Sequence, residues 1–264
     1  MNASRTPRRI GVGRFPKRAA LLPKLLAMLG LSMLLSACMA GSGPAIQGSD
    51  ERDRLTGTSG ADTMRGFAGE DRIEGLEGDD GMEGMSGRDI MDGGEGRDDI
   101  NGGSYADRVF GGPGIDRIVG RGGRDWLYGG GEPDALSGDE DEDHLYAGGG
   151  GGMASGGPGE DELQGGGGRD RLDGEADDDV VSGGPGDDRL EGGKGDDLID
   201  GQEGGDSLFG ELGHDVLRGG DGDDFIDAVD GLPGDEVDCG PGEADIAQAD
   251  EGDRLTDCET ARVP

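Results

Sequence analysis

The chain has 264 residues, 62 of them Gly and 11 Pro, and its 60 acids against 24 bases give a formal charge of −36. Leu, Ile, Val and Phe make up only about one residue in six. That is too little for an ordinary enzyme domain packed around a Leu/Val core, and so acidic a polymer repels nucleic-acid phosphates.

The N-terminal stretch is the one basic part. Residues 1–37 carry seven bases and no acid, and an apolar run from Leu25 to Leu35 is too short to span a bilayer. This layout predicts an export signal over 1–37. Its end, Leu35-Ser36-Ala37-Cys38, resembles the lipobox of bacterial lipoproteins, which implies cleavage before Cys38 and lipidation of that Cys. Cleavage near Ala37 with a plain Cys38 thiol is the alternative. Residues 38–52 are rich in Gly, Ser and Ala and predict a flexible tether.

From Asp53 a period of nine runs to residue 227. Steps of nine give Asp53, Asp62, Asp71, Asp80, Asp89, Asp98, Asp107, Asp116, Asp125, Asp134 and Asp143. Gly152 then breaks the series, which resumes as Asp161, Asp170, Asp179, Asp188, Asp197, Asp206, Asp215 and Asp224. Two residues after each step the position is always apolar, from Leu55 to Ile226. Four residues after each step it is Gly, except at Ala147 and Ala228. Compositional bias does not hold three residue classes in phase.

The unit reads G-G-x-G-x-D-x-U-x, with U apolar, the nonapeptide of calcium-binding parallel β-helices. It resembles the haemolysin-type (RTX) repeat family over residues 53–227. Its fullest copies begin with the pairs Gly93 and Gly96, Gly111 and Gly114, Gly156 and Gly159, Gly165 and Gly168, Gly183 and Gly186, Gly192 and Gly195, and Gly219 and Gly222. The resemblance implies an all-β fold: a right-handed parallel β-roll of about ten two-repeat turns with a small C-terminal cap. It also implies many Ca2+ ions, held between repeats eighteen residues apart by the Asp carboxylates and the turn carbonyls. The residue chemistry agrees. Gly frees the backbone for tight turns, Ca2+ takes six to eight hard oxygens, and one inward apolar side chain serves each short strand. The segment from Asp134 to Gly152 holds the weakest copies and is expected to be a soft joint.

After Asp227 the period fails, and residues 228–264 are expected to cap the roll. The Cys239-Gly-Pro-Gly run and Cys258 resemble the Cys-paired end piece that follows such repeats in bacterial calcium-binding proteins. The resemblance implies a Cys239–Cys258 disulfide, with free thiols or a metal site as alternatives. Phe110, Tyr128 and Tyr146 follow U at intervals of eighteen, with Trp126 beside Tyr128. They read either as a patch for a glycan or surface protein or as a ladder that packs on itself.

No H-E-x-x-H, G-x-S-x-G or phosphate-loop motif occurs, and the two His stand apart, so catalysis is not expected. The expectation is an exported, lipid-anchored protein that folds on Ca2+ as a structural or adhesive surface element, facing the periplasm or the cell surface, or extracellular if released. The alternatives are a polysaccharide-binding accessory and a calcium-dependent extracellular enzyme or effector component.

Overall fold

The computed structural model describes residues 45–263. Among them 25 strands run from Ala45–Gln47 to Thr260–Arg262, and there is no helix. Successive strands enter two parallel sheets alternately. Thr63–Ala68, Gly81–Ser86 and every second strand thereafter lie in a sheet of 13; Arg72–Glu77, Ile90–Glu95 and their successors lie in a sheet of 12. Met64 pairs with Met82, Met82 with Ile100 and Ile73 with Met91. The step is eighteen residues, so two nonapeptides make one coil of a β-solenoid.

The burial of each strand follows from backbone alternation. In Ile90–Glu95 the first residue is exposed, Met91 is buried, Asp92 is intermediate and Gly93 is buried. Each repeat thus places one apolar side chain and one bare Gly inside. The apolar series from Leu55 to Ile226 stacks in two columns, one per sheet, and forms a continuous core. A low apolar total suffices because the interior is only one side chain deep on each side.

The solenoid is longer than the sequence period implies, with about twelve coils in place of ten. At its start Ala45–Gln47, within the expected tether, pairs with Thr63–Arg65. At its end the expected cap is itself coiled: Glu236–Asp238, Ile246–Ala249, Arg254–Thr256 and Thr260–Arg262 extend both sheets. The D-x-U unit persists there as Asp235-x-Val237, Asp245-x-Ala247 and Asp253-x-Leu255. Only the loop lengths change, so that Val216 pairs with Glu236 and Phe225 with Ile246. Cys239 and Cys258 are disulfide-bonded, with Cα atoms 5.1 Å apart.

The sheets also run unbroken through the weak copies. Met153 N–H donates to Asp134 O at 2.8 Å and Arg171 N–H to Gly152 O at 2.9 Å, so the expected joint is not a gap in the pairing. The export signal, Cys38 and residues 39–44 lie outside the described residues.

Candidate metal centre along two aspartate columns

The repeat Asp stands two residues before U and therefore points to the same side of the chain, into the coil. From Asp62 to Asp224 every repeat Asp is buried. They form two columns, one at each corner between the sheets. One column runs without interruption from Asp53 through Asp71, Asp89 and Asp107 to Asp215. The other runs from Asp62 to Asp224 and is broken once, at Gly152.

Within a column each carboxylate is used asymmetrically. Its Oδ1 accepts the backbone N–H of the Asp one coil earlier: Asp98 N–H donates to Asp116 at 2.8 Å, and Asp107 N–H to Asp125 at 2.7 Å. The ladder continues beyond the period, from Asp215 to Asp235 and from Asp224 to Asp245. Asp235 and Asp245 are thus column members that counting by nine misses; the D-x-U triplet is the signal that finds them. Gly152 supplies no carboxylate to Asp134.

The second oxygen is the chemically open one. In every repeat Asp from Asp71 to Asp224, and in Asp245, Oδ2 is buried and accepts no hydrogen bond. It lies over the Cα of the first Gly of its own repeat, beside a carbonyl of the next coil. A Cβ at Gly165 would sit 2.6 Å from Gly183 O and 2.7 Å from Asp170 Oδ2; at Gly102 it would sit 2.7 Å from Asp107 Oδ2 and 3.0 Å from Gly120 O. The same cradle recurs at Gly93, Gly111, Gly183 and Gly219, and on the carboxylate side alone at Gly156 (Asp161) and Gly192 (Asp197). The fourth-position glycines serve the turn instead. Gly96, Gly114, Gly159, Gly195 and Gly222 adopt φ between 139° and 149°, where their Cα atoms abut a carbonyl of the preceding coil.

Asp53 and Asp62 differ from the rest. Their Oδ2 atoms accept both the N–H and the hydroxyl of Ser49 and Thr58, at 2.6–2.9 Å. Protein groups engage the Oδ2 atoms of these first two carboxylates, so the hydrogen-bond-free Oδ2 donors begin at Asp71; at Asp62 it is Oδ1 that is buried without a partner among the described residues.

Burial raises the affinity of the column carboxylates from Asp71 onward for a proton. Desolvation is the largest cause, the accepted N–H opposes it, and carboxylates in adjacent coils add to it. Asp107, Asp143 and Asp179 are pushed up to about 8, Asp125 and Asp215 to about 7, and Asp80, Asp89 and Asp98 to about 6. At neutral pH such a stack needs protons or a counter-cation.

The repeats match the RTX calcium-binding nonapeptide repeat model in overlapping segments from residue 47 to residue 231. The chain belongs to this family. No curated protein matches the chain.

The donors present fit the family's ion. The repeats whose Asp lies between Asp71 and Asp224 each offer a carboxylate oxygen without a hydrogen bond, and most set a carbonyl of the next coil beside it, a hard-oxygen set of the kind Ca2+ prefers. Among the described residues no three acidic, His or Cys side chains converge. Carbonyls must therefore supply most of the ligands at each site.

The aromatic strip packs on itself. The Phe110 and Tyr128 rings stack at 4.9 Å and 8°, Trp126 stacks on His144 at 4.0 Å, and Arg108 lies 5.9 Å from the Trp126 ring. Tyr146 ends the row, in register with Tyr128. Several of the ring faces on which a sugar would stack are covered by neighbouring side chains. Sequence reading missed His144, which follows Trp126 by eighteen residues and also contacts Glu162 Oε2 at 2.9 Å.

Proposed function

We propose that this RTX protein is exported, lipid-anchored through Cys38 and folded by Ca2+ into a rod that serves a structural or adhesive role rather than a catalytic one. The buried, hydrogen-bond-free Oδ2 atoms carry this reading. Asp71 to Asp224 and Asp245 would hold the ions together with the first-position Gly carbonyls of adjacent coils. When bound, Ca2+ supplies the positive charge that lets those carboxylates stay ionised inside the coil. The chain's own residues set the geometry: Oδ1 is tied to the coil behind, the bare Gly Cα makes room, and U holds the sheets together. An ion bound only by the folded form stabilises that form by mass action.

Two features support the address. The first 37 residues combine seven bases with a short apolar run ending at Cys38, and a disulfide belongs to an oxidising compartment. Circular dichroism during a calcium titration tests the folding claim: the expected result is a strand signal that appears only with the ion and saturates at many equivalents. A spectrum identical in chelator and in millimolar Ca2+ would overturn it. Fractionation with fatty-acid labelling of the protein and of Cys38→Ser tests the anchor, and label retained by the variant refutes it.

A further inference from the structure

The break in the second column coincides with a change in the outer surface. The residues just before the column Asp are acidic on either side, at Asp79 and Asp187, but between them stand Arg97, Ile115, Pro133, Gly151 and Arg169. On the adjacent strands Arg117, Ala135 and Met153 pair in register. Five consecutive glycines, 148–152, leave this corner without side chains. A Cβ on Gly150 would lie 2.6 Å from Glu132 backbone, and Gly151 sits at φ 74°.

The result is a cleft of about 420 Å³. Ile115, Pro133 and Met153 line it, and Arg97, Arg117 and Arg169 rim it. Ile115 and Met153 are 54% and 57% exposed, in a chain with few apolar residues to spend. Arg117 and Arg169 pair with Asp99 and Asp187, which lie outside the lining; Arg97 has no carboxylate partner among the described residues. The acids that do line the cleft, Asp116 and Asp134, are buried, with their Oδ1 atoms engaged in the ladder. The lining therefore presents guanidinium and hydrocarbon, and of its three guanidiniums Arg97 is the one not already paired with an exposed carboxylate.

We propose that this cleft binds an amphiphilic carboxylate, its acid head on Arg97 and its apolar body on Ile115, Pro133 and Met153. A planar guanidinium pairs with a carboxylate through two parallel hydrogen bonds, and the volume suits a ligand of this size. The cleft shares Asp116 and Asp134 with the metal columns, so its test is run at fixed free Ca2+ and read on Arg97 and Met153, which are not column residues.

Calorimetry on the calcium-loaded protein at fixed free Ca2+ tests it, with 4-phenylbutanoate and its uncharged counterpart 4-phenylbutanol as probes. The carboxylate is expected to bind at least about tenfold more tightly than the alcohol, a head-group contribution of about 1.4 kcal/mol. Arg97→Gln should abolish that preference. Met153→Asp should weaken the carboxylate about tenfold or more. Arg65→Gln, at an exposed pair elsewhere, should change nothing. Circular dichroism of each variant checks that the fold is retained. Equal binding of acid and alcohol, unchanged affinity in Arg97→Gln and Met153→Asp, or no binding of the carboxylate would each overturn the proposal.

Discussion

In the copies of regular nine-residue spacing, the coil has room beside the first-position residue for a carboxylate or for a methyl, but not for both. Ala147 occupies that position in the one copy whose Asp is replaced, and a Cβ on Gly152 would lie 3.3 Å from its methyl and 2.9 Å from Asp134 O. The two departures from the pattern therefore compensate each other. Gly152→Asp alone should destabilise the calcium-loaded fold by about 1–3 kcal/mol through overpacking. Adding Ala147→Gly should recover much of that loss, a coupling that a double-mutant cycle on thermal midpoints reads directly; strictly additive effects would refute it. Tyr105 makes the converse point. It holds a fourth-position Gly site at φ 80° and is 64% exposed. Tyr105→Gly should thus raise stability by about 1 kcal/mol, because it relieves a left-handed conformation while losing little burial. An unchanged or lower melting temperature would count against it.

At the level of the coil, legibility in the sequence depended on whether the information was local. That Asp and U share a face is contained in the triplet D-x-U, and the two-repeat coil in the resemblance. The Oδ1 ladder was not legible, because Asp98 and Asp116 meet only when their coils stack. The terminal coils escaped for another reason. Asp235, Asp245 and Asp253 keep the triplet but not the interval, while Ile46 is preceded by Pro44 where Asp would stand. Cys239 fills the first-position slot four residues after Asp235, and its carbonyl lies over Gly219, so the disulfide to Cys258 fastens the last irregular coils to the regular ones. With the cysteines 19 positions apart in sequence, its loss should cost about 3 kcal/mol in the loop-closure model. Hydrogen exchange after mild reduction should accelerate first over residues 236–262, and uniform or absent acceleration would show that the bond does not secure the end.

Over the whole molecule the columns decide how stability responds to pH, and the response depends on what neutralises them. Without metal, burial holds the column carboxylates from Asp71 onward above their ordinary value of 3.8, with Asp80 and Asp89 at about 6 and Asp107, Asp143 and Asp179 at about 8. A group whose folded-state pKa is raised contributes stability that is present when it is protonated and lost as pH rises through the folded value. In chelator the fold should therefore be most stable in mild acid and should weaken steadily between about pH 5 and pH 8. Saturating Ca2+ removes this loss, since the ion holds the folded carboxylates deprotonated and almost no proton is then exchanged on unfolding over the same window. Thermal melts at several pH values, in chelator and in excess Ca2+, should give a falling curve and a nearly level one that diverge toward alkaline pH. Parallel curves would mean that Ca2+ acts somewhere other than the Oδ2 atoms. A metal-free melting temperature that rises from pH 5 to pH 8 would mean that the buried carboxylates are stabilised by contacts other than protons or cations.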